Sequence, residues 1–169
     1  MAELDIDAAA YKAHLETQET GNQVEKICLG DKRINYCTAC DACQSNGGRC
    51  VQKDDMAEIL DKMIHADVIV MATPVYFYTM NALLKTVIDR TYARYTGVSN
   101  KEMCFIMTAA VGNKDLLEQT LESFRGFTAC LTGAKEKGVI YGTGAWNIGN
   151  IANSQAMGEA YETGKNAWQ

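Results

Sequence analysis

The sequence predicts an α/β fold with a mostly parallel sheet between helices, and three observations carry that prediction. Short continuous apolar runs recur, the clearest at residues 68–72 and 103–108. Such runs suit strands buried on both faces, as in a parallel sheet. The segments between them place apolar residues at i, i+3, i+4 and i+7, the stripe of an amphipathic helix. Strand-like and helix-like segments alternate, with turn residues between them, and this order implies helices layered on a parallel sheet.

Taken in order, residues 4–18 carry Leu4, Ala8, Tyr11 and Leu15 on one helical face, and Thr20, Gly21 and Asn22 signal a stop. Residues 23–29 alternate imperfectly through Val24, Ile27 and Leu29 and predict an edge strand. Residues 30–52 form a long loop, and loops of that length in a compact domain usually have a function. Asp54 and Asp55 open a helix whose stripe is Met56, Ile59, Leu60, Met63 and Ile64, with acidic groups at its positive end. The strand that follows should end by Thr73, because Pro74, the single proline, cannot continue a central ladder. A helix over 80–95 then buries Met80, Leu83, Leu84, Val87 and Ile88. After the strand at 103–108, Asn113 is a plausible N-cap for a helix burying Leu116, Leu117, Leu121 and Phe124. Residues 138–142 are a short last strand, and Ser154 caps a final helix burying Met157 and Ala160. Residues 1–169 read as one domain, with a cysteine-rich loop at 35–52.

Composition narrows the function. A net charge of −5 lacks the basic stripe of a nucleic-acid binder. No apolar run reaches 18 residues, so neither a spanning helix nor membrane attachment is expected. The acidic N-terminus has no signal-peptide core, and the expected location is cytoplasmic. Seven cysteines are many for this length. In a reducing compartment their clustering suggests metal or redox chemistry before disulfides. Cys37, Cys40, Cys43 and Cys50 follow C-x2-C-x2-C-x6-C. Ferredoxin runs begin in the same way, whereas zinc sites more often use two separated pairs. A metal or [4Fe–4S] cluster is the sharp reading, and free thiols or a labile disulfide the bland one. Cys28, Cys104 and Cys130 read as buried apolar fillers.

The turn after residues 68–72 places Tyr76, Phe77 and Tyr78 at a strand's carboxyl end, where ligands sit in open α/β sheets. Small residues and aromatics there suit a flat ring. Trp146 in a later glycine-rich loop could cover a ligand or an interface. His14 and His65 read as surface or helix-end residues, and Asp89 and Arg90 as structural. No Ser/His/Asp or paired-carboxylate arrangement emerges, so no catalytic side chain is assigned and the chemistry falls to a cofactor.

Several motifs together resemble the flavodoxin-like NADPH-dependent FMN reductase family, most closely its iron-sulfur flavoprotein branch. They are the cysteine run with Gly48, Cys50, Asp54, Asp55 and Met56, then Ala66 and Asp67, then Thr73 to Phe77, then Leu84 to Arg90. The resemblance implies a flavodoxin-like three-layer sandwich of strand order 2-1-3-4-5, with FMN at the strand ends. It implies flavin contacts from the turn of Thr73, Pro74, Val75, Tyr76 and Phe77 and from the turn holding Ala109, Ala110 and Gly112. NAD(P)H would be the electron donor, and a cluster on the four cysteines would lie close enough to FMN to exchange electrons. Family members open with a strand and a Gly-Ser-Pro-Arg-like phosphate loop, and no counterpart is visible before Gly21. The first strand is therefore expected to be missing, in a truncated form with impaired FMN binding. The expected activity is an FMN-dependent NAD(P)H oxidoreductase. The alternatives are an iron-sulfur electron-transfer flavoprotein and a defective truncated paralogue. Apolar faces left by the short sheet predict a homodimer or higher homo-oligomer.

Overall fold

The computed structural model of the chain describes residues 22–147 and 149–166. The predicted helix at 4–18, with His14, and the missing-first-strand expectation fall outside these residues. The elements in order are α1 (Ala42–Ser45), α2 (Met56–His65), β1 (Val68–Tyr76), β2 (Thr79–Met80), α3 (Ala82–Arg90), β3 (Glu102–Thr108), α4 (Glu118–Ala129), β4 (Lys135–Gly142) and α5 (Gln155–Asn166). The described sheet runs β2-β1-β3-β4. β1, β3 and β4 are parallel, and β2 pairs antiparallel with the end of β1. The three parallel strands take the third, fourth and fifth places of the implied flavodoxin-like order.

Strand alternation sorts side chains between two cores. Met71, Met103, Phe105 and Met107 face the larger one, under α2, α3 and α4. There Phe105 and Phe124 stack with ring centroids 4.7 Å apart. Ile106 and Ile140 face a smaller core with Ala156 and Ala160 of α5. Among the described residues that second layer covers β3 and β4 and reaches β1 only at Ala72. Val70 is 47% exposed, so the expectation of a strand buried on both faces fails there.

Other boundaries also shift. Residues 22–28 form no strand, although Ile27 and Leu29 pack on the large core. The step from Val24 to Ile27 breaks the spacing of two, and among the described residues the segment has no ladder partner. β1 continues through Pro74 to Tyr76. At Pro74 it pairs only with Thr108 of β3, so among the described residues it is an edge there and tolerates the missing N–H. Met80 belongs to β2, not to the helix after it. Asn81 caps α3 instead, its side chain accepting from Leu84 N at 2.9 Å. α3 stops at Arg90, and 3-10 turns Thr91–Ala93 and Tyr95–Gly97 replace the predicted last turns. Leu83 and Leu116 are exposed rather than core. Asn113 does cap, accepting from Asp115 N, but it opens a 3-10 turn. The Ser154 hydroxyl, just before α5, donates back to Ile151 O at 2.8 Å. β4 starts three residues earlier than predicted, at Lys135.

Candidate functional site

Parallel register brings three turns to one edge of the sheet. Pro74, Thr108 and Gly142 lie side by side at the carboxyl ends of β1, β3 and β4. The second and third turns are laced together. Ala109 N donates to Gly142 O at 2.9 Å, Ala145 N to Ala109 O at 2.8 Å, and Gly144 N to Val111 O at 2.9 Å.

The first turn is a two-residue hairpin between Tyr76 and Thr79. Phe77 and Tyr78 occupy its tip with φ of 50° and 61°, both left-handed. Two-residue hairpins favour this geometry but normally fill it with Asn-Gly or similar pairs. Bulky residues there are strained, and strain of this kind gathers at functional sites. Phe77 is 100% exposed, and Tyr76 and Tyr78 are each about half exposed. Thr73 secures the base of the turn. It is fully buried, and its Oγ1 accepts from Asn81 N at 3.0 Å and donates to Pro74 O at 2.9 Å.

The eight residues assigned to flavin contact therefore divide. Thr73, Pro74 and Ala109 are buried and Val75 is half-buried, so they shape the turns. Tyr76, Phe77, Ala110 and Gly112 are exposed at the edge. A Cβ added at Gly112 or at Gly144 would meet nothing within 4 Å, which leaves room beside these turns for a flat group. Trp146, 70% exposed, follows directly on Ala145 and adds a further aromatic at this edge.

The cysteine loop is built differently. Asp54 and Arg90 form a bidentate ion pair, Nη1 to Oδ2 at 2.8 Å and Nη2 to Oδ1 at 3.0 Å, with side chains only 1% and 2% exposed. Asp54 Oδ2 also accepts from Asn35 N at 3.0 Å, and Arg90 Nη1 donates to Asn35 O at 2.5 Å. The guanidinium's hydrogen bonds hold the Asp54 carboxyl below its usual range despite burial. Burial works against the Arg90 charge, yet Asp54 and Cys50 together outweigh it and raise the group above its ordinary value. Arg90 Nη2 also lies 3.5 Å from Cys50 Sγ. Reading Arg90 as structural was correct. Its partner Asp54 was seen only as a helix-opening acid, because a link across 36 positions leaves no local signal.

Gln44 Nε2 donates to Tyr92 O at 3.1 Å and approaches Cys43 Sγ at 3.7 Å. Gly48, at φ +80°, seats against Arg94, where an added Cβ would fall 2.5 Å from Cγ. Cys37 and Cys40 are exposed, whereas Cys43 and Cys50 are half-buried. Hydrogen bonds from the Ala42 amide and the Thr38 side chain lower the Cys40 thiol.

Four thiols on one loop are a donor set with the softness that iron–sulfur centres and zinc require. Among the described residues, no three His, Cys, Asp or Glu side chains are gathered closely enough to hold an ion as they stand. The loop is also anchored at the far end of α3 from the Tyr76–Thr79 hairpin, roughly 14 Å along a helix of this length. Of the supposed fillers, Cys104 is buried, with its thiol pushed up to about 11 by desolvation. Cys28 is half-buried, and Cys130 is exposed, donating to Gly126 O at the end of α4. His65 is exposed at a helix end, as expected.

A sequence model described as NADPH-dependent FMN reductase matches residues 7–139. The chain belongs to the NADPH-dependent FMN reductase family. An iron-sulfur flavoprotein of Archaeoglobus fulgidus is 37% identical over 101 residues, covering 58% of this chain and 49% of that one. An iron-sulfur flavoprotein of Methanosarcina thermophila is 38% identical over 74 residues, covering 44% and 38%. The chain thus spans less than half the length of these curated relatives. Among solved structures, an FMN-dependent NADH-azoreductase from Bacillus anthracis in complex with FMN matches with TM-score 0.67 and 16% identity, covering 99% of this chain and 89% of that one. A flavone reductase matches with TM-score 0.69 and 20% identity, covering 95% and 56%. At those identities the structural likeness establishes the flavodoxin-like fold of this family member. Among the described residues, no helix is long and apolar enough to cross a membrane.

Proposed function

We propose that this chain binds FMN against the strand-end turns and acts as an FMN-dependent oxidoreductase drawing electrons from NAD(P)H. One observation carries the reading: within a member of the FMN reductase family, parallel register aligns three turns at one edge, with exposed aromatics on the first and small open residues on the others. The hairpin of Tyr76, Phe77 and Tyr78 would flank the ring on one side. The Ala110–Gly112 turn would border another edge, with Trp146 beside it. Bound FMN would supply the hydride and electron chemistry that no side chain here provides. The chain's own work is to exclude water with these aromatics and to hold the ring in the open space beside Gly112 and Gly144.

The names of the curated relatives and the chemistry of the thiol set favour a second reading, in which Cys37, Cys40, Cys43 and Cys50 hold an iron–sulfur centre for one-electron exchange. One preparation tests both. Protein purified without oxygen is titrated with FMN while flavin fluorescence is followed, and its iron and acid-labile sulfide are measured. Saturable quenching, with NADH or NADPH oxidation by the loaded protein, supports the FMN reading. Absence of quenching overturns it. Iron and sulfide near four of each per chain, the composition of a [4Fe–4S] centre, support the cysteine reading.

A further inference from the structure

The hairpin that carries the aromatics is closed at its base by one hydroxyl. Thr73 is fully buried, and its Oγ1 donates to Pro74 O at 2.9 Å and accepts from Asn81 N at 3.0 Å. A single side chain thus joins the two ends of the 73–81 segment. The second end is fixed again from beyond, because Asn81 Oδ1 accepts from Leu84 N at 2.9 Å in the first turn of α3. Met80, beside Asn81, is seated in the large core. Above this base only Val75 with Met80 and Tyr76 with Thr79 pair across the hairpin. Phe77 and Tyr78 then hold φ of 50° and 61° at the tip, and Phe77, 100% exposed, has no packing of its own to keep it there. Backbone of this kind persists only where its surroundings over-determine it, and here the constraint comes from below. We propose that Thr73 is a positioning residue whose hydroxyl presets the Tyr76–Tyr78 tip in the conformation that receives the flavin.

This role rests on the FMN reading of the strand-end edge. A fully buried Thr73 does not touch a ring that lies against exposed aromatics; it reaches the ligand only through the hairpin. A hydroxyl donates and accepts at once, whereas valine has nearly the same shape and does neither. Without the hydroxyl the two ends of the segment are no longer tied, and the tip is free to leave its left-handed conformation. FMN then binds well only to the molecules that still hold the tip in place. Apparent affinity falls in proportion to that fraction, so a fall to about one tenth weakens binding about tenfold. A ligand site preset in this way keeps the ordering cost out of the binding step.

The parent, Thr73→Val and Thr73→Ser are titrated with FMN while flavin fluorescence is followed. Valine keeps the shape and loses the hydroxyl; serine loses the methyl and keeps the hydroxyl. Thr73→Val should bind FMN about tenfold more weakly, and Thr73→Ser within about twofold of the parent. In a Phe77→Gly background the tip takes a left-handed φ without help, so adding Thr73→Val should weaken binding by less than about threefold. A folded Thr73→Val protein that binds like the parent overturns the inference. Equal losses in the valine and serine variants also overturn it, since packing and not the hydroxyl then matters. An undiminished loss in the Phe77→Gly background does the same, because Thr73 then acts elsewhere than on the tip. Amide hydrogen exchange of the flavin-free parent needs no variant. The Asn81 amide should exchange as slowly as the Leu84 amide beside it. If Asn81 exchanges freely until FMN is added, the tip is not preset and the inference is overturned, whether or not Thr73→Val folds. A parent that leaves FMN fluorescence unquenched overturns the FMN reading itself, and this role with it.

Discussion

Phe77→Gly separates the cost of the hairpin tip from its use. Phe77 holds φ 50° and is fully exposed, so in the free chain its ring loses no packing when removed. A left-handed conformation costs an L-residue about 1–2 kcal/mol. Glycine removes that cost but gives back about 0.5–1 kcal/mol in backbone entropy. The FMN-free variant should therefore be as stable as the parent or more stable, by up to about 1.5 kcal/mol. For a chain of this size each kcal/mol is roughly 2–4 °C in melting temperature, so the rise should reach at most about 6 °C. FMN should respond in the opposite direction. Loss of an aromatic contact is worth about 0.5–1.5 kcal/mol beyond area, which weakens binding roughly two- to tenfold. Thermal melts without flavin and a fluorescence titration with FMN measure the two effects independently. A variant that binds FMN as tightly as the parent would show that Phe77 does not touch the ring. A variant destabilised without flavin would show that the tip is not strained.

Other consequences follow from the core and the anchor. Arg90→Met alone leaves the Asp54 carboxylate buried and unpaired, and should cost about 3–5 kcal/mol in urea unfolding; the double variant with Asp54→Asn should recover most of it. Because the folded Asp54 value lies below its unfolded one near 3.8, the pair's stabilisation is present above about pH 4 and is lost as pH falls through the folded value. Acid titration of stability should thus show a steeper low-pH limb in the parent than in the double variant. Asn81→Ala removes the cap on Leu84 N and should cost about 1 kcal/mol by chemical denaturation. Cys104, 1% exposed and with its thiol raised to about 11, should resist a thiol reagent at pH 8 until the protein is denatured, whereas exposed Cys130 should react at once.

Periodicity made much of the architecture readable. The stripe of Met56, Ile59, Leu60 and Met63 is recorded in local spacing, as is the run that became β3. Aromatics after a β-branched run likewise point to the exposed strand-end turn of Tyr76, Phe77 and Tyr78. Element ends were less legible. Pro74 stays in its strand because β1 has a partner on only one side there, and Met80 joins a hairpin rather than a helix. Residues 23–29 carry strand-like residues but no strand, since a strand needs a neighbour as well as a composition.

By itself the sequence determined the layered α/β order, the thiol set and the turn that carries the aromatics, because each is written within a few consecutive residues. Only the tertiary structure decided that Phe77 stands fully exposed on a strained tip, that the turns after β3 and β4 are laced side by side, and that Asp54 grips Arg90 beneath Cys50. Those arrangements depend on which distant backbones lie adjacent and on which charges are closed off from water. Burial and long-range pairing are properties of the packed chain and have no counterpart in local residue order.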